Sequence, residues 1–195
     1  MDRRARIERK TSETAIALDL RLDGRGEGNI ATQIPFFDHM LTLFSRHGLF
    51  DLHIEASGDI DVDFHHTVED TGIALGQAFA RALGDKRGIR RYGWAYAPMD
   101  ETLARAVVDL SGRPFFEYRA PQNVAPAGTF AFQLVEEFLR AFSVHAACNL
   151  HVEILYGRDA HHMAEALFKA LSKALDQASQ LDARVEGIPS TKGVL

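Results

Sequence analysis

The sequence predicts an α+β fold built as an internal duplication, two strand-rich halves that each form a small sheet with helices against it. Three observations predict it. Two boxes of the form His-His-x-x-Glu, His65-His66-Thr67-Val68-Glu69 and His161-His162-Met163-Ala164-Glu165, stand 96 positions apart (65 to 161). Phe44-Ser45-Arg46-His47 matches Phe142-Ser143-Val144-His145, and Leu52-His53-Ile54-Glu55 matches Leu150-His151-Val152-Glu153, both 98 positions on (44 to 142, 52 to 150). The second copy is therefore shorter by two loop residues. Between these matches, period-2 and helical patterns follow one another in the same order in both halves.

The elements follow in order. Residues 14–22 alternate, with Ile16, Leu18, Leu20 and Leu22 on one side, which is a half-buried strand. A Gly-rich turn over 24–29 leads to a return strand at 30–34. Pro35 opens a helix over 36–46 that ends at His47-Gly48. Residues 49–57 alternate again, and after Gly58 an acidic loop leads into the first box and an amphipathic helix over 72–83. In the second half, 92–97 and 103–110 read as strands separated by Pro98-Met99-Asp100-Glu101. The turn Ser111-Gly112-Arg113-Pro114 precedes a strand at 115–119. A Pro/Gly loop spans 121–128, a helix 130–142 and a strand 150–156. The second box then enters a helix over 166–178. The halves divide near Lys86-Arg87-Gly88, into 1–88 and 89–195. Each is small, so the two sheets are expected to share one core. The tail, 182–195, has no periodicity. Its Ser190-Thr191-Lys192-Gly193 reads either as a frayed terminus or as a set of anion donors.

Composition narrows the function classes. The chain has 195 residues, 46% hydrophobic and 25% charged, as ordinary globular proteins do. A net charge of −5 argues against a broad nucleic-acid or anionic-membrane surface. The single Cys148 precludes an intrachain disulfide and fits a reducing cytoplasm. No apolar run reaches the roughly 18 residues of a membrane span, and no apolar signal core follows the basic start. The expected compartment is the cytoplasm.

The boxes carry the chemistry. Neighbouring side chains on a helix diverge by roughly 100°, so adjacent histidines suit two metals better than one. Glu69 and Glu165 lie one turn on and can share a metal with either histidine. Imidazole plus carboxylate suits zinc, manganese, iron or nickel, and one Cys excludes a thiolate-rich site. Four His and two Glu make three donors per metal, so each metal needs more. The helix before each box is the natural source. By the repeat, these extra donors are His39 with Glu137, or His47 with His145. His53 and His151 sit on the strand face opposite Leu52 and Leu150 and read as solvated. Asp38, Asp63 and Asp70 flank the histidines, where carboxylates usually orient imidazoles. Arg91, Arg113 and Lys192 lie at turns; a phosphate site would need them to converge.

Six separated motifs resemble the imidazoleglycerol-phosphate dehydratase family. They are Pro35-Phe36-Phe37-Asp38-His39-Met40-Leu41, Asp63 to Asp70 around the first box, Pro98-Met99-Asp100-Glu101, Asp109-Leu110-Ser111-Gly112-Arg113-Pro114, His161-His162 with Glu165 and Phe168-Lys169-Ala170, and Pro189-Ser190-Thr191-Lys192-Gly193-Val194-Leu195. The match spans nearly the whole chain. It implies a duplicated half resembling domain 2 of ribosomal protein S5, with two four-stranded sheets and helices packed between or against them. It implies dehydration of imidazole glycerol phosphate to imidazole acetol phosphate in histidine biosynthesis, with two Mn²⁺ per site holding the imidazole as imidazolate. It implies a homo-oligomer with trimeric metal sites in a 24-subunit cage, while the charge and the lack of an apolar span lead us to expect no nucleic-acid or membrane partner. By the same resemblance His39, His65, His66, Glu69, His161, His162 and Glu165 are metal ligands. The family often has His at position 137, so Glu137 or His145 is the eighth. Arg91, Arg113, Ser190, Thr191 and Lys192 resemble phosphate-binding residues, and Glu13, His47 and Lys169 other substrate contacts. Glu13 and Glu165 are the candidate catalytic carboxylates, with Glu13 the proton acceptor.

Two other classes compete. A dinuclear metallohydrolase would use the same donors to activate water on a phosphate ester, and would show activity on generic esters. A metal-stapled, S5-like RNA-binding module would bind RNA in a salt-dependent way without turnover, but the acidic charge and the lack of an aromatic–basic stripe oppose it.

Overall fold

The computed structural model describes residues 2–193 and 195, so Met1 and Val194 of the terminal motif lie outside the described residues. The first half holds β1 (Arg4–Lys10), β2 (Thr14–Arg21), β3 (Gly28–Ala31), α1 (Pro35–Gly48), β4 (Asp51–Gly58) and α2 (His65–Leu83). The second holds β5 (Tyr92–Met99), β6 (Thr102–Asp109), β7 (Phe115–Arg119), α3 (Gln133–His145), β8 (Asn149–Tyr156) and α4 (Ala160–Ser179). Two four-stranded sheets result, ordered β1-β2-β4-β3 and β5-β6-β8-β7, which is the same topology twice. In each, the last pair is parallel (β3 with β4, β7 with β8) and the others are antiparallel. This is the duplicated α+β fold read from the repeat.

The helices lie between the sheets, and they pair across the halves. α1 packs on α4 and α2 on α3, while α2 covers β1 and β2 and α4 covers β5 and β6. That sandwiching explains why α2 and α4 are buried almost all round. Repeat-related side chains meet at the seam, with the Phe44 and Phe142 rings 6.4 Å apart. Phe138 stacks on Phe168 and meets Phe37 edge-on. The core is one cluster running through both halves.

Glycine sets the closest of these crossings. A Cβ on Gly72 would lie 2.8 Å from the Phe138 carbonyl oxygen, and one on Gly76 would lie 2.6 Å from that of Phe142. α2 and α3 can therefore touch backbone to backbone, whereas Phe168 holds the corresponding place on α4.

Several elements differ from the sequence reading. β1 was not expected; only Ala5 and Ile7 point inward, too few to register as alternation, and Arg4, Arg6 and Glu8 stay exposed. Both box helices start earlier, so the histidines sit in the first turn. β5 runs through Pro98-Met99, and the turn shrinks to Asp100-Glu101, with Asp100 at φ 47°. Pro98 is tolerated because β5 is an edge strand. α3 begins and ends three residues later than expected. The segment after α4 is pinned: Asp182 N–H donates to Gly88 O and Gly88 N–H to Gly187 O. Among the described residues, no helix is long and apolar enough to cross a membrane.

Candidate active site

Local rules place the boxes. The Asp63 carboxylate accepts the His65 N–H at 2.7 Å, and Asp159, the N-cap of α4, accepts that of His162 at 3.0 Å. Each cap satisfies an amide with no intrahelical partner and fixes the first turn that carries the imidazoles.

One set of donors converges. His39 Nε2 lies 3.0 Å from Glu165 Oε1, and His161 Nε2 lies 2.9 Å from the same oxygen. The donor atoms of His39, His161 and Glu165 lie within 4.8 Å of one another, and no other three such residues do so among the described residues. The sequence reading paired each box with its own half. Instead His39, from the first half, meets the second box, because α1 packs on α4. The other oxygen of Glu165 accepts from Lys169 Nζ at 2.6 Å. Burial pushes the Glu165 carboxyl up, but Lys169, His39 and His161 together outweigh it and hold the group at about 2. Two imidazoles and a buried carboxylate make a donor set that fits a divalent cation.

The first box is looser. His65 Nε2 is 3.8 Å from Glu69 Oε2, and both side chains are nearly half exposed. By the repeat, Glu137 on α3 stands where His39 stands on α1. Glu137 is 3.8 Å from Arg140. The β-carbon of His145 lies against Gly76, two turns beyond Glu69. Burial lowers the pKa of His145, with Arg9 adding to this and Glu69 opposing it.

The second histidine of each box is held by a carboxylate on Nδ1. Asp59 holds His66 at 2.9 Å, and Glu101 holds His162 at 2.7 Å. Each partner raises the pKa of its imidazole, and His162 drives Glu101 far below the usual carboxylate range. Such a bond fixes the tautomer and leaves Nε2 free to ligate. The sequence reading missed both. Glu101 was findable, because Glu101-Thr102 closes its hairpin as Glu13-Thr14 closes the first. Of the carboxylates that were named instead, Asp63 caps α2, Asp38 accepts from Thr32 and Asp70 binds Arg9 and Thr14. Glu13 itself lies 3.8 Å from His66 Nδ1 and is half exposed. The pKa of His47 is lowered first by burial, then by the charges of Lys169 and Lys173, with Glu165 opposing.

The candidate phosphate residues gather at another end of the second half. Arg91, at φ 71°, binds Asp109 through Nε and Nη2 (2.7 and 3.1 Å) and donates from Nη1 to Pro189 O at 2.9 Å. It is thus spent largely on tying the tail to the sheet. The tail then turns through Ser190, whose Oγ accepts the Lys192 N–H, and Leu195 reaches Gly112 beside Arg113. Thr191 and Lys192 are exposed. His53 and His151 are exposed on the outer sheet faces.

A duplicated α+β frame that presents a His/Glu set able to hold a metal ion has the layout of a metal-dependent enzyme. The family model for imidazoleglycerol-phosphate dehydratase matches residues 32–175. The proteins named imidazoleglycerol-phosphate dehydratase from Pelobacter propionicus and Geobacillus kaustophilus are 58% and 56% identical over 195 residues, all of this chain and all of each relative. The crystal structure of the Staphylococcus aureus dehydratase superposes with a TM-score of 0.83 at 40% identity, covering 92% of this chain and 99% of that one. That of the Pyrococcus furiosus enzyme does so with a TM-score of 0.83 at 36%, covering 97% and 100%. The chain belongs to the imidazoleglycerol-phosphate dehydratase family, and it is an enzyme, a dehydratase of histidine biosynthesis.

Proposed function

We propose that this chain dehydrates imidazole glycerol phosphate to imidazole acetol phosphate, using two Mn²⁺ per site in a cytoplasmic homo-oligomer. The observation that carries the metal reading is the meeting of His39, His161 and Glu165 at one point. In our reading His39, His161 and Glu165 hold one ion and His65, Glu69 and Glu137 the other, while His66 and His162, whose rings stand nearly perpendicular to their neighbours', are left to complete the sets of another copy. Glu137 is favoured over His145 by the helix register, since Gly76 lies against His145. Bound metal would supply Lewis acidity at the substrate ring and ease loss of its N–H proton. The electron-rich ring would then release the hydroxyl of the adjoining carbon, which departs as water with the proton the ring has given up. The next carbon loses its proton to Glu13, a free carboxylate beside the first box. The enol so formed tautomerises to the ketone. Glu165, whose two oxygens face His39, His161 and Lys169, serves in our reading as a ligand. Arg113, Ser190, Thr191 and Lys192 hold the phosphate with Arg91 fixing their frame, and His47 and Lys169 line the ring side.

The boxes present separate donor sets within one chain, which supports completion of each site by another copy. A trimeric site in a 24-subunit cage is the form we propose. The outer face of the second sheet supports a partner surface: Trp94, Val107 and His151 form a row across three strands, the Phe115 ring lies 5.4 Å from that of His151, and Trp94 is 59% exposed. No nucleic acid or membrane enters this reading.

The test is dehydration of imidazole glycerol phosphate by chelator-stripped protein before and after Mn²⁺, with particle mass followed throughout. Turnover restored by Mn²⁺ in a large assembly is the expected result. Tight Mn²⁺ binding without turnover would overturn the proposal.

A further inference from the structure

The two halves solve one local problem in opposite ways. Thr14 lies opposite Gly58 in the β2–β4 register, and the Thr102 hydroxyl lies against Gly157. These glycines mark equivalent places, so Glu13 corresponds to Glu101, and Asp59 to Arg158. In the second half the hairpin carboxylate does the holding. Glu101 grips His162 Nδ1 at 2.7 Å and also accepts the N–H groups of Arg158 and Asp159. In the first half the loop carboxylate does it. Asp59 takes His66 Nδ1 at 2.9 Å, and Glu13 is left 3.8 Å from the same nitrogen. With Arg158 at its place, the second half has no such substitute, and its hairpin Glu stays engaged.

We propose that Asp59 is a positioning residue that occupies His66 and so keeps the Glu13 carboxylate free to accept the substrate proton. This rests on the reading of Glu13 as the base. Remove Asp59 and Glu13 needs to move only about 1 Å to reach hydrogen-bond length. It would then do for His66 what Glu101 does for His162, and the base would be lost without loss of the metal site.

The experiment uses the assembled full-length protein and reads Mn²⁺ affinity by calorimetry beside turnover. The orienting carboxylate is worth roughly 10–100-fold in metal affinity, so Asp59→Ala should stay within about threefold of wild type while Asp59→Ala/Glu13→Ala falls by the full factor. Turnover of Asp59→Ala should fall about 100-fold or more, close to that of Glu13→Gln, the scale of a lost general base. Asp59→Asn keeps an acceptor for His66 and should retain most activity, which separates positioning from a folding defect. Asp59→Ala that alone loses the full metal affinity, or that turns over like wild type while Glu13→Gln is impaired, overturns the inference. Glu13→Gln that turns over like wild type overturns instead the assignment of the base.

Discussion

Replacing Gly76 with Ala sets two effects of known size against each other. Alanine favours an interior helix position over glycine by about 1 kcal/mol. Its Cβ, however, would stand 2.6 Å from Phe142 O, 2.9 Å from Ala146 N and 2.9 Å from the His145 β-carbon. Two of these are backbone atoms that cannot rotate aside, so α3 must retreat from α2. Overpacking of this kind costs roughly 1–3 kcal/mol, so the clash should win by about 1 kcal/mol. In chelator-treated protein at fixed concentration the urea midpoint should fall with the slope unchanged, and Tm should drop by about 2–4 °C. Gly72→Ala, whose nearest contacts are 2.8 Å to Phe138 O and 3.0 Å to the Ala141 β-carbon, should fall less. Equal or higher stability for Gly76→Ala would refute the reasoning and show that the helices separate without penalty. The retreat should also shift Glu137, carried by α3, relative to the first box on α2, and Mn²⁺ affinity should weaken with it.

Further outcomes are equally direct. Glu101→Ala removes the holder of His162 and should weaken Mn²⁺ binding by roughly 10–100-fold in calorimetry; unchanged affinity would mean His162 needs no holder. Asp70→Ala leaves Arg9 and Thr14 without their shared, buried carboxylate and should cost about 3 kcal/mol in urea unfolding. Burial pushes the Cys148 thiol up to about 12, so it should resist alkylation at pH 8.5 until the protein unfolds. The same shift has a sign: the folded thiol keeps its proton where the unfolded one loses it, so stability falls as pH rises from about 9 toward 12. Cys148→Ala should flatten that slope in alkaline denaturation curves.

Much of the fold was legible because the repeat printed it twice. Phe44 and Phe142, found by matching, meet at the seam between the halves. β1 was illegible because two inward residues make no pattern; it is a strand because β2 offers it a paired edge. Among site residues, His39 stood out as a candidate but its destination did not, since which helix crosses which is decided by packing and not by sequence proximity. Glu101 reaches His162 across 61 residues because β6 pairs with β8, whereas Asp59 lies only seven residues before His66, in an acidic loop with Asp61 and Asp63 as equally plausible partners. The tail's attachment depends on Arg91 reaching Pro189, a contact 98 residues long in sequence that no local signal announces.

The meeting of His39 with His161 and Glu165 has a consequence for how such a protein could arise. A polypeptide of half this length would own no such donor set; two copies would have to associate, the first helix of one lying on the second helix of the other. Joining the copies in one chain replaces a concentration-dependent encounter with a fixed effective concentration. It also releases the two sets from identity. His at position 39 and Glu at 137, or Asp at 59 and Arg at 158, are differences that two identical subunits could never have shown. The fused chain can thus keep one carboxylate as an anchor while its twin becomes available for chemistry.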